Sequence, residues 1–312
     1  MASTGFNPTA NTYAGQAAGK YMLAAITGAD LIGGGHVYLK DTKSTKYVIP
    51  TWANTFDQII QDSTPTPVST GLINLGEQTL NLGEYQIYQE FNPQDYADYW
   101  YAQSMQDLLI DRGLPVEANS VILFEVMRQH AKFLNKLAFN GDKTLSTNMK
   151  YIDGFITKSL ADANVYKIPS PVALTNANVV SAAFDPCYKA LPDALKFDIG
   201  VKLFVSYSTY TFYEEYQRNQ VYKGIDVTLM GIPEYRGHPV VRVADMPDNC
   251  VFVAKGNSTM ESNMWMGVNS TDDQNNLKLS PLQANSDMWF VRGKMKVDVN
   301  YVFAPQVILY KY

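Results

Sequence analysis

The sequence predicts an α+β protein, and three observations support this prediction. A long amphipathic helix is predicted over residues 115–139, short apolar strands alternate with helices between residues 172 and 285, and strand-like alternation dominates residues 286–312. The 312 residues are enough for two domains or one elaborated domain. Apolar residues make up 46% and charged residues 18%, which is a globular composition.

The N-terminal residues 1–19 are predicted to form an arm that gains its order from a neighbour. Residues 1–19 are small, polar and nearly uncharged, so they cannot form a core by themselves. The glycines of Gly33–Gly35 predict a turn, because the GxxxxGK[ST] pattern of a phosphate-binding loop is absent. From His36 to Trp52 the pattern becomes strand-like, with a lysine-bearing turn at Asp41–Lys46.

Residues 55–91 are predicted to form a long two-stranded arm. The Ser63–Pro67 stretch is extended and stiff, because each proline fixes its own φ and restricts the residue before it. Strands are predicted at Gly71–Leu75, Thr79–Leu82 and Glu84–Phe91. Since an isolated ribbon is only marginally stable in water, this arm should rest on a partner surface.

Charge is unevenly distributed along the chain. Residues 51–118 hold ten acidic side chains and one basic one, whereas residues 119–158 hold six bases and three acids. The two halves could pair between identical subunits in a head-to-tail arrangement, or within one subunit, and the charges leave both possibilities open. The residues predicted to lie at a subunit interface are Asp57, Asp62, Glu77, Glu84, Glu90, Arg128, Lys132 and Lys136.

The helix at residues 115–139 is the strongest secondary-structure prediction. An apolar stripe recurs at spacings of three and four residues, and a basic stripe repeats every four residues on another face. His130 is predicted at the helix surface or an interface. Asn140 and Gly141 are predicted to end the helix in left-handed geometry. The apolar stripe consists of Phe124, Met127, Ala131, Leu134 and Ala138, and the basic stripe of Arg128, Lys132 and Lys136.

Beyond Pro169–Pro171 the pattern predicts a compact α/β module over residues 172–285. Helices are predicted at Thr175–Leu191 and Ser208–Asn219, and buried strands at Val201–Ser206, Pro239–Val243 and Val251–Ala254. The closing residues 286–312 are predicted to form one long strand ladder.

Chemistry-bearing motifs are absent from the sequence. The three histidines have no second ligand at metal-binding spacing, and Cys187 and Cys250 fit neither a CxxC motif nor a disulfide framework. No GxSxG nucleophile motif occurs. We therefore predict no enzyme activity, no catalytic residue, no cofactor and no metal. The net charge of −5 gives no basic footprint of a nucleic-acid reader, and no apolar run is long enough to span a membrane.

The order of these segments resembles the tailed-bacteriophage major capsid protein family, with the Hong Kong ninety-seven type capsid fold that encapsulin shells also use. The resemblance rests on Lys136–Asp142 followed by Ile152–Ile156, on Pro247–Val253 with Asn263–Met266, and on Met295–Phe303 with Val307–Tyr310. These segments are similar to the family's spine helix and following turn, its late axial-domain strand and its closing peripheral strands.

The resemblance implies a phage major capsid fold made of four regions. They are an N-terminal arm at 1–36, an extended β-hairpin loop at 37–97 that lies across a neighbouring subunit, a peripheral domain at 98–171 and 286–312 with the long spine helix, and an α/β axial domain at 172–285. Many family members carry an N-terminal scaffolding segment that is cleaved, and this sequence is expected to rely on a separate scaffolding protein or none.

The resemblance also implies partners and a location. Copies would assemble as hexamers and pentamers into an icosahedral shell that encloses phage double-stranded DNA without sequence specificity. A separate scaffolding, portal or decoration protein remains an open partner, and no membrane is expected. Assembly would take place in the host bacterial cytoplasm, and the protein would end in the virion. The rival functions are an encapsulin-like compartment, a soluble α+β enzyme and a β-rich tail or adhesion protein.

Overall fold

The computed structural model describes residues 11–12, 30–53, 63, 66, 74–92, 116–219, 233–269, 277–283 and 288–312. The strands are β1 (Asn11–Thr12), β2 (Tyr38–Asp41), β3 (Lys46–Ala53), β4 (Asn74–Asn81), β5 (Gly83–Phe91), β6 (Tyr166–Lys167), β7 (Val201–Val205), β8 (Glu234–Tyr235), β9 (His238–Arg242), β10 (Cys250–Lys255), β11 (Met264–Val268), β12 (Lys278–Pro281), β13 (Trp289–Tyr301) and β14 (Ile308–Lys311). The α-helices are α1 (Asp30–Gly33), α2 (Val116–Asn140), α3 (Phe155–Ala161), α4 (Asp185–Ala190) and α5 (Tyr207–Arg218), with a π-helix at Val179–Phe184 and 3-10 turns at Asp193–Leu195 and Ala304–Gln306.

Helix α2 confirms the predicted spine helix. Its 25 residues, at 1.5 Å each, make a rod of about 37 Å. Met127, Ala131, Leu134 and Ala138 are all buried, as the apolar stripe predicts, while the side chain of Phe124 lies outside the described residues. The stripe packs into a core that also holds the buried side of the sheet around β13.

The end of α2 is built differently from its prediction, because Gly141 does not adopt a positive φ. A Cβ at this position would lie 2.5 Å from the carbonyl oxygen of Ile152 and 2.7 Å from that of Leu137. A Cβ on Gly154 would similarly lie 2.6 Å from the carbonyl oxygen of Phe139. Both glycines are therefore required by the close approach of two backbone segments, and left-handed geometry is not the reason for Gly141.

The first sheet is centred on β13. It has the order β1-β12-β13-β11-β2, and β5 also pairs with β13 in antiparallel register from Gly83↔Val297 to Phe91↔Trp289. Side chains along β13 alternate between buried and more exposed positions as far as Val297, and then all five residues from Val297 to Tyr301 are buried. The second face of the strand must therefore be covered at that end.

The second sheet has the order β6-β14-β10-β7-β9-β8. Strand β10 serves two cores by alternation, because Val251 and Val253 pack with α5 and the π-helix while Phe252 faces α2. The Phe252 ring lies 6.0 Å from the Phe139 ring of α2, measured between ring centroids. Strand β14 belongs to this sheet, so the prediction of one ladder over the last residues is wrong for Ile308–Lys311.

The predicted arm is described only in part, because most of the Ser63–Pro67 stretch and the first three residues of the predicted strand Gly71–Leu75 lie outside the described residues, and the strands that are described differ from the prediction. Strands β3 and β4 pair in antiparallel register from Lys46↔Asn81 to Ala53↔Asn74, and this pair is called the hairpin below. Strand β5 exists close to its predicted bounds but pairs with β13 of the first sheet. Strands that are neighbours in sequence are the expected partners, but the partner of β5 lies about 200 residues later.

The predicted helix at Thr175–Leu191 begins later than expected. The Asn178 side chain accepts a hydrogen bond from the Thr175 amide at 2.7 Å and donates one to the Ala173 carbonyl at 3.0 Å. These side-chain bonds compete with helical hydrogen bonding, so the helix starts at Val179 and opens with the π-helical segment. The other predicted elements of the module are present within two residues of their expected bounds.

Candidate functional site: the hairpin, its root and the basic helix face

The hairpin is anchored by an apolar cluster at its base. Ile49 and Leu80 of the hairpin pack against Trp265 of β11 and Val302, and all four are at most 8% exposed. The Trp265 indole N–H donates to the Ser262 carbonyl at 2.8 Å, which fixes the ring. We call these four side chains the hairpin root. The root covers the second face of β13, which explains the burial of Val297–Tyr301.

A buried ion pair lies beside the root. The Lys158 ammonium of α3 donates to both carboxylate oxygens of Asp298 at 3.1 and 3.2 Å, and it also donates to the Val299 carbonyl. The Asp298 Oδ2 atom accepts the backbone N–H of Asn81 at 2.8 Å. Burial lowers the pKa of Lys158 and raises the pKa of Asp298, while the opposite charge of each partner counteracts both shifts.

Asn300 makes a second polar link between β13 and the hairpin. Its side-chain amide donates to the Thr79 carbonyl of β4 at 2.9 Å, and its Oδ1 atom accepts from the Tyr301 amide at 3.0 Å. Asp298 and Asn300 are two residues apart, so they share the face of β13 that the hairpin covers. Both are less than 8% exposed. Sequence reasoning missed them, because polar residues alternating with Val297, Val299 and Tyr301 normally indicate a solvent-exposed face.

The predicted acidic interface residues fall into two groups. Asp57 and Asp62 lie outside the described residues. Glu77 is exposed on β4, Glu84 forms an ion pair with Lys294 of β13 at 3.0 Å, and Glu90 accepts from the Tyr88 hydroxyl. The hydrogen bond from Lys294 lowers the pKa of Glu84. A subunit-interface role for these acids stays a prediction.

The predicted basic residues lie together on α2. Arg128, Lys132 and Lys136 are all exposed, on the face away from the buried stripe. Within the described part of the chain, neither Lys132 nor Lys136 forms an ion pair with an acid of residues 51–118, and Glu84 is paired with a lysine of β13 instead. Of the acids in residues 51–118, only Glu77, Glu84 and Glu90 have described side chains, so pairing within one subunit and pairing between subunits both stay predictions.

His130 is buried, so its predicted placement at the helix surface is wrong. It is 5% exposed, its Nε2 atom lies 2.5 Å from the Tyr85 hydroxyl of β5, and the two rings stack. Burial lowers its pKa to about 4. A signal was present in the sequence, because His130 stands three residues after Met127 and four before Leu134, which places it on the buried stripe.

A loop before β7 presents two apolar side chains to solvent. Phe197 is 92% and Ile199 78% exposed. The loop is nevertheless ordered, because Asp198 between them pairs with Lys255 at 2.7 Å and accepts the Gly200 amide at 2.8 Å. Fixed, exposed large apolar side chains commonly mark a protein contact surface. We call Phe197 and Ile199 the apolar loop.

The described residues form no metal-binding cluster, and both cysteines are buried. Among them, no cluster of three or more histidine, cysteine or acidic side chains is arranged to hold a metal ion. Cys187 and Cys250 are buried, and burial raises the thiol pKa of both, for Cys250 to about 12. In the same part of the chain, no helix combines the length and apolar character needed to cross a bilayer.

The sequence matches no family model and no curated protein, but solved structures share its fold. One is from the satellite phage P4 procapsid including the size determination (Sid) protein, at 12% identity, covering 94% of this chain and 98% of that chain with a TM-score of 0.61. A second is the capsid of a native GTA particle, at 12% identity, covering 100% and 94% with a TM-score of 0.57. A third is a virus-like particle from Pyrococcus furiosus, at 11% identity, covering 94% and 96% with a TM-score of 0.51.

These likenesses extend over nearly the whole of each chain. The protein therefore has the α+β fold of phage capsid proteins, the Hong Kong ninety-seven type, as the sequence predicts. Because the identities are close to 12%, the likeness establishes the fold, and the function is taken up separately.

Proposed function

We propose that this protein is a major capsid protein. Its copies assemble as hexamers and pentamers into an icosahedral shell that encloses phage double-stranded DNA. The observation that carries this proposal is the fold, which matches a procapsid chain over 94% of this protein and 98% of that chain. The role is structural and not enzymatic, in keeping with neighbours that are described as capsids.

The hairpin supplies the physical support for self-assembly. Only Ile49 and Leu80 are buried among its described side chains, whereas Val48 is 39% exposed and Glu77 is also exposed. Two strands with so small a packed face are marginally stable in water, so the hairpin gains stability by lying on another surface. A patch that meets a different patch on the next copy generates a closed ring when the rotation between copies closes, and a shell is built from such rings.

The proposal extends to partners and location. The DNA is held without sequence specificity, as the net charge of −5 offers no basic footprint for base readout. A separate scaffolding, portal or decoration protein fits the same function. Assembly takes place in the host bacterial cytoplasm, and the assembled protein resides in the virion capsid.

Electron microscopy of the purified protein, together with light scattering, tests the proposal directly. We expect closed particles of uniform diameter, and we expect nuclease-protected double-stranded DNA in particles recovered from infected cells. A protein that stays monomeric at every concentration contradicts the proposal. Limited proteolysis adds a second test, since the first cleavage is expected between Asp57 and Asn81 in free subunits, with protection after assembly.

A variant without residues 54–73 sharpens this test. Ala53 and Asn74 are direct cross-strand partners, so residues 54–73 can be replaced by a two-residue Asn-Gly turn that closes the hairpin. This variant keeps the hairpin root and should fold with an unchanged unfolding midpoint, yet form few particles. Normal assembly of this variant would show that the replaced residues make no essential contact with a neighbour.

An encapsulin-like compartment is the second candidate, because it uses the same fold. One observation keeps it open: a virus-like particle from Pyrococcus furiosus is among the structural neighbours. The contents of particles purified from native cells separate the two functions. Protected DNA of uniform length supports the capsid, and a single co-purifying protein cargo supports the compartment.

A further inference from the structure

We propose that Asp298 and Asn300 are positioning residues that set the direction in which the hairpin leaves the body of the subunit. For its consequence in assembly this inference rests on the proposed function, since the direction of the hairpin decides which part of a neighbouring copy it reaches. The geometry of the hairpin base supports it independently.

The two side chains bond to the outer edge of β4. Asp298 accepts the amide of Asn81, and Asn300 donates to the carbonyl of Thr79. In an antiparallel pair, backbone groups of alternate residues point away from the partner strand, so the groups of Thr79 and Asn81 point away from β3. A further strand would normally form hydrogen bonds with these backbone groups. Here the side chains of Asp298 and Asn300 on β13 bond to them instead.

The two bonds fix an angle that strand pairing would not produce. Strand β5 belongs to the first sheet, paired with β13 from Gly83 onward, whereas β4 ends at Asn81 and pairs with β3 in a separate sheet. A Cβ on Gly83 would lie 2.3 Å from the Tyr151 carbonyl oxygen, so the corner between β4 and β5 is pressed against the turn after α2. With the corner fixed, two hydrogen bonds further along β4 determine the remaining rotation of the hairpin about it.

Lys158 holds the Asp298 carboxylate in place. It donates to both carboxylate oxygens, and its own backbone carbonyl accepts from the Tyr301 hydroxyl at 3.3 Å. Helix α3 is thereby linked to β13 at Asp298 and at Tyr301. The Asp298 side chain is 3% exposed, so a charge retained there needs this partner.

The apolar root could hold the hairpin by itself, and the experiment must separate the two contributions. Apolar contacts are not directional and tolerate rotation, whereas two hydrogen bonds from one strand face to alternate backbone groups do not. The inference therefore expects that losing the polar bonds loosens and redirects the hairpin without unfolding the body.

Hydrogen exchange in unassembled subunits measures this effect. Asp298→Ala and Asn300→Ala should each raise amide exchange in residues 76–82 by about tenfold, while exchange in β10 and in residues 289–295 stays unchanged. Asp298→Asn keeps an oxygen that can accept from Asn81, so it should restore part of the protection. Asp193→Asn is the matched control, because it removes an exposed ion pair of 2.7 Å far from the hairpin.

Particle diameter provides the second readout. Under assembly conditions, Asn300→Ala should give particles of mixed diameter, whereas Asp193→Asn should give the uniform diameter of the unaltered protein.

If Asp298→Ala does not fold, Asn300→Ala carries the test alone. Unchanged exchange in residues 76–82, or an equal rise throughout the body, overturns the inference. If the unaltered protein forms no particles, the proposed function fails, while the exchange experiment still decides the role of Asp298 and Asn300.

Discussion

The hairpin and the body of the subunit are held by different means. In the body, α2 and two sheets enclose cores in which rings such as Phe139, Phe155 and Phe252 are fully buried. In the hairpin, Ile49 and Leu80 are the buried members among its described side chains. The body therefore has the packing of an independently stable domain, whereas the hairpin is fixed at its base. This difference predicts that mutations will separate folding from assembly.

The largest effect on subunit stability is expected in the body. Phe252→Ala removes a fully buried ring that contacts Phe139, Phe155 and Phe204, and it should lower the free energy of unfolding by about 3–5 kcal/mol. Denaturant unfolding of unassembled subunits measures this loss. Phe197→Ala is the matched control, because that ring is 92% exposed and the change should stay within about 0.5 kcal/mol.

Equal losses for the two variants would mean that the apolar loop is packed in the free subunit. If Phe197→Ala leaves stability intact but reduces particle yield, the apolar loop is a contact between copies. A normal yield of particles would remove it from the candidate interface.

The second effect is a dependence of stability on pH that arises in the body. The pKa of His130 is lowered to about 4 in the folded state, against 6.5 for an unperturbed histidine. The unfolded chain thus binds the proton more readily, so stability is full above about pH 6.5 and falls as the pH drops toward 4. The difference between the pKa values of the folded and unfolded states corresponds to a loss of about 3 kcal/mol in the free energy of unfolding near pH 4.

The measurement is denaturant unfolding of free subunits at several pH values between 4 and 7. His36, with a pKa also lowered to about 4, contributes in the same direction, and Asp298, with a raised pKa, contributes in the opposite one. His130→Gln keeps a possible acceptor for the Tyr85 hydroxyl and removes the titration, so its stability should depend less steeply on pH. An unchanged slope would exclude His130 as the cause.

The contrast between the two regions also explains what the sequence could predict. The spine helix and the strands of the α/β module follow from local periodicity, because each has one buried face that repeats every 3.6 or every two residues. The hairpin was predicted as an arm, but its strand pairing was not, since periodicity does not identify the partner of a strand. The pairing of β5 with β13 and the separate course of β14 could not be predicted for the same reason.

The polar residues beside the hairpin root show more clearly what the sequence alone does not predict. Asp298 and Asn300 are buried only because the hairpin crosses β13 at that point, which is a contact between segments more than 200 residues apart. Nothing in their local sequence indicates it. The basic face of α2, by contrast, follows from the sequence, because a stripe of basic residues at a spacing of four is a local property.

A smaller effect is expected at the hairpin root itself. Leu80→Ala removes a fully buried side chain that packs against Trp265, but the loss should remain confined to the hairpin, at about 2 kcal/mol. Hydrogen exchange should rise in β3 and β4 and stay unchanged in β10. Val48→Ala, at a position that is 39% exposed on the same hairpin, is the control. Cooperative destabilisation of β10 by Leu80→Ala would show that hairpin and body fold as one unit.

The smallest effect on stability, and a large one on assembly, is expected for the basic face of α2. Reversing Arg128, Lys132 and Lys136 to Glu keeps the two like-charge pairs at a spacing of four residues but makes Glu125 and residue 128 a like-charge pair at a spacing of three, so helix stability should change by about 1 kcal/mol or less. The exposed side chains lose no packing. If this face meets an acidic surface of another copy, particle yield should fall sharply, most strongly at low ionic strength where the attraction is least screened.

A charge-matched control separates a local contact from a change in net charge. Lys150, Lys189 and Lys278 are exposed and scattered over the subunit, and changing them to Glu alters the net charge by the same amount. This control should assemble better than the α2 variant. Equal loss in both would mean that overall repulsion between subunits is responsible, and parallel loss of folding and assembly in the α2 variant would make its basic face an internal support of the subunit.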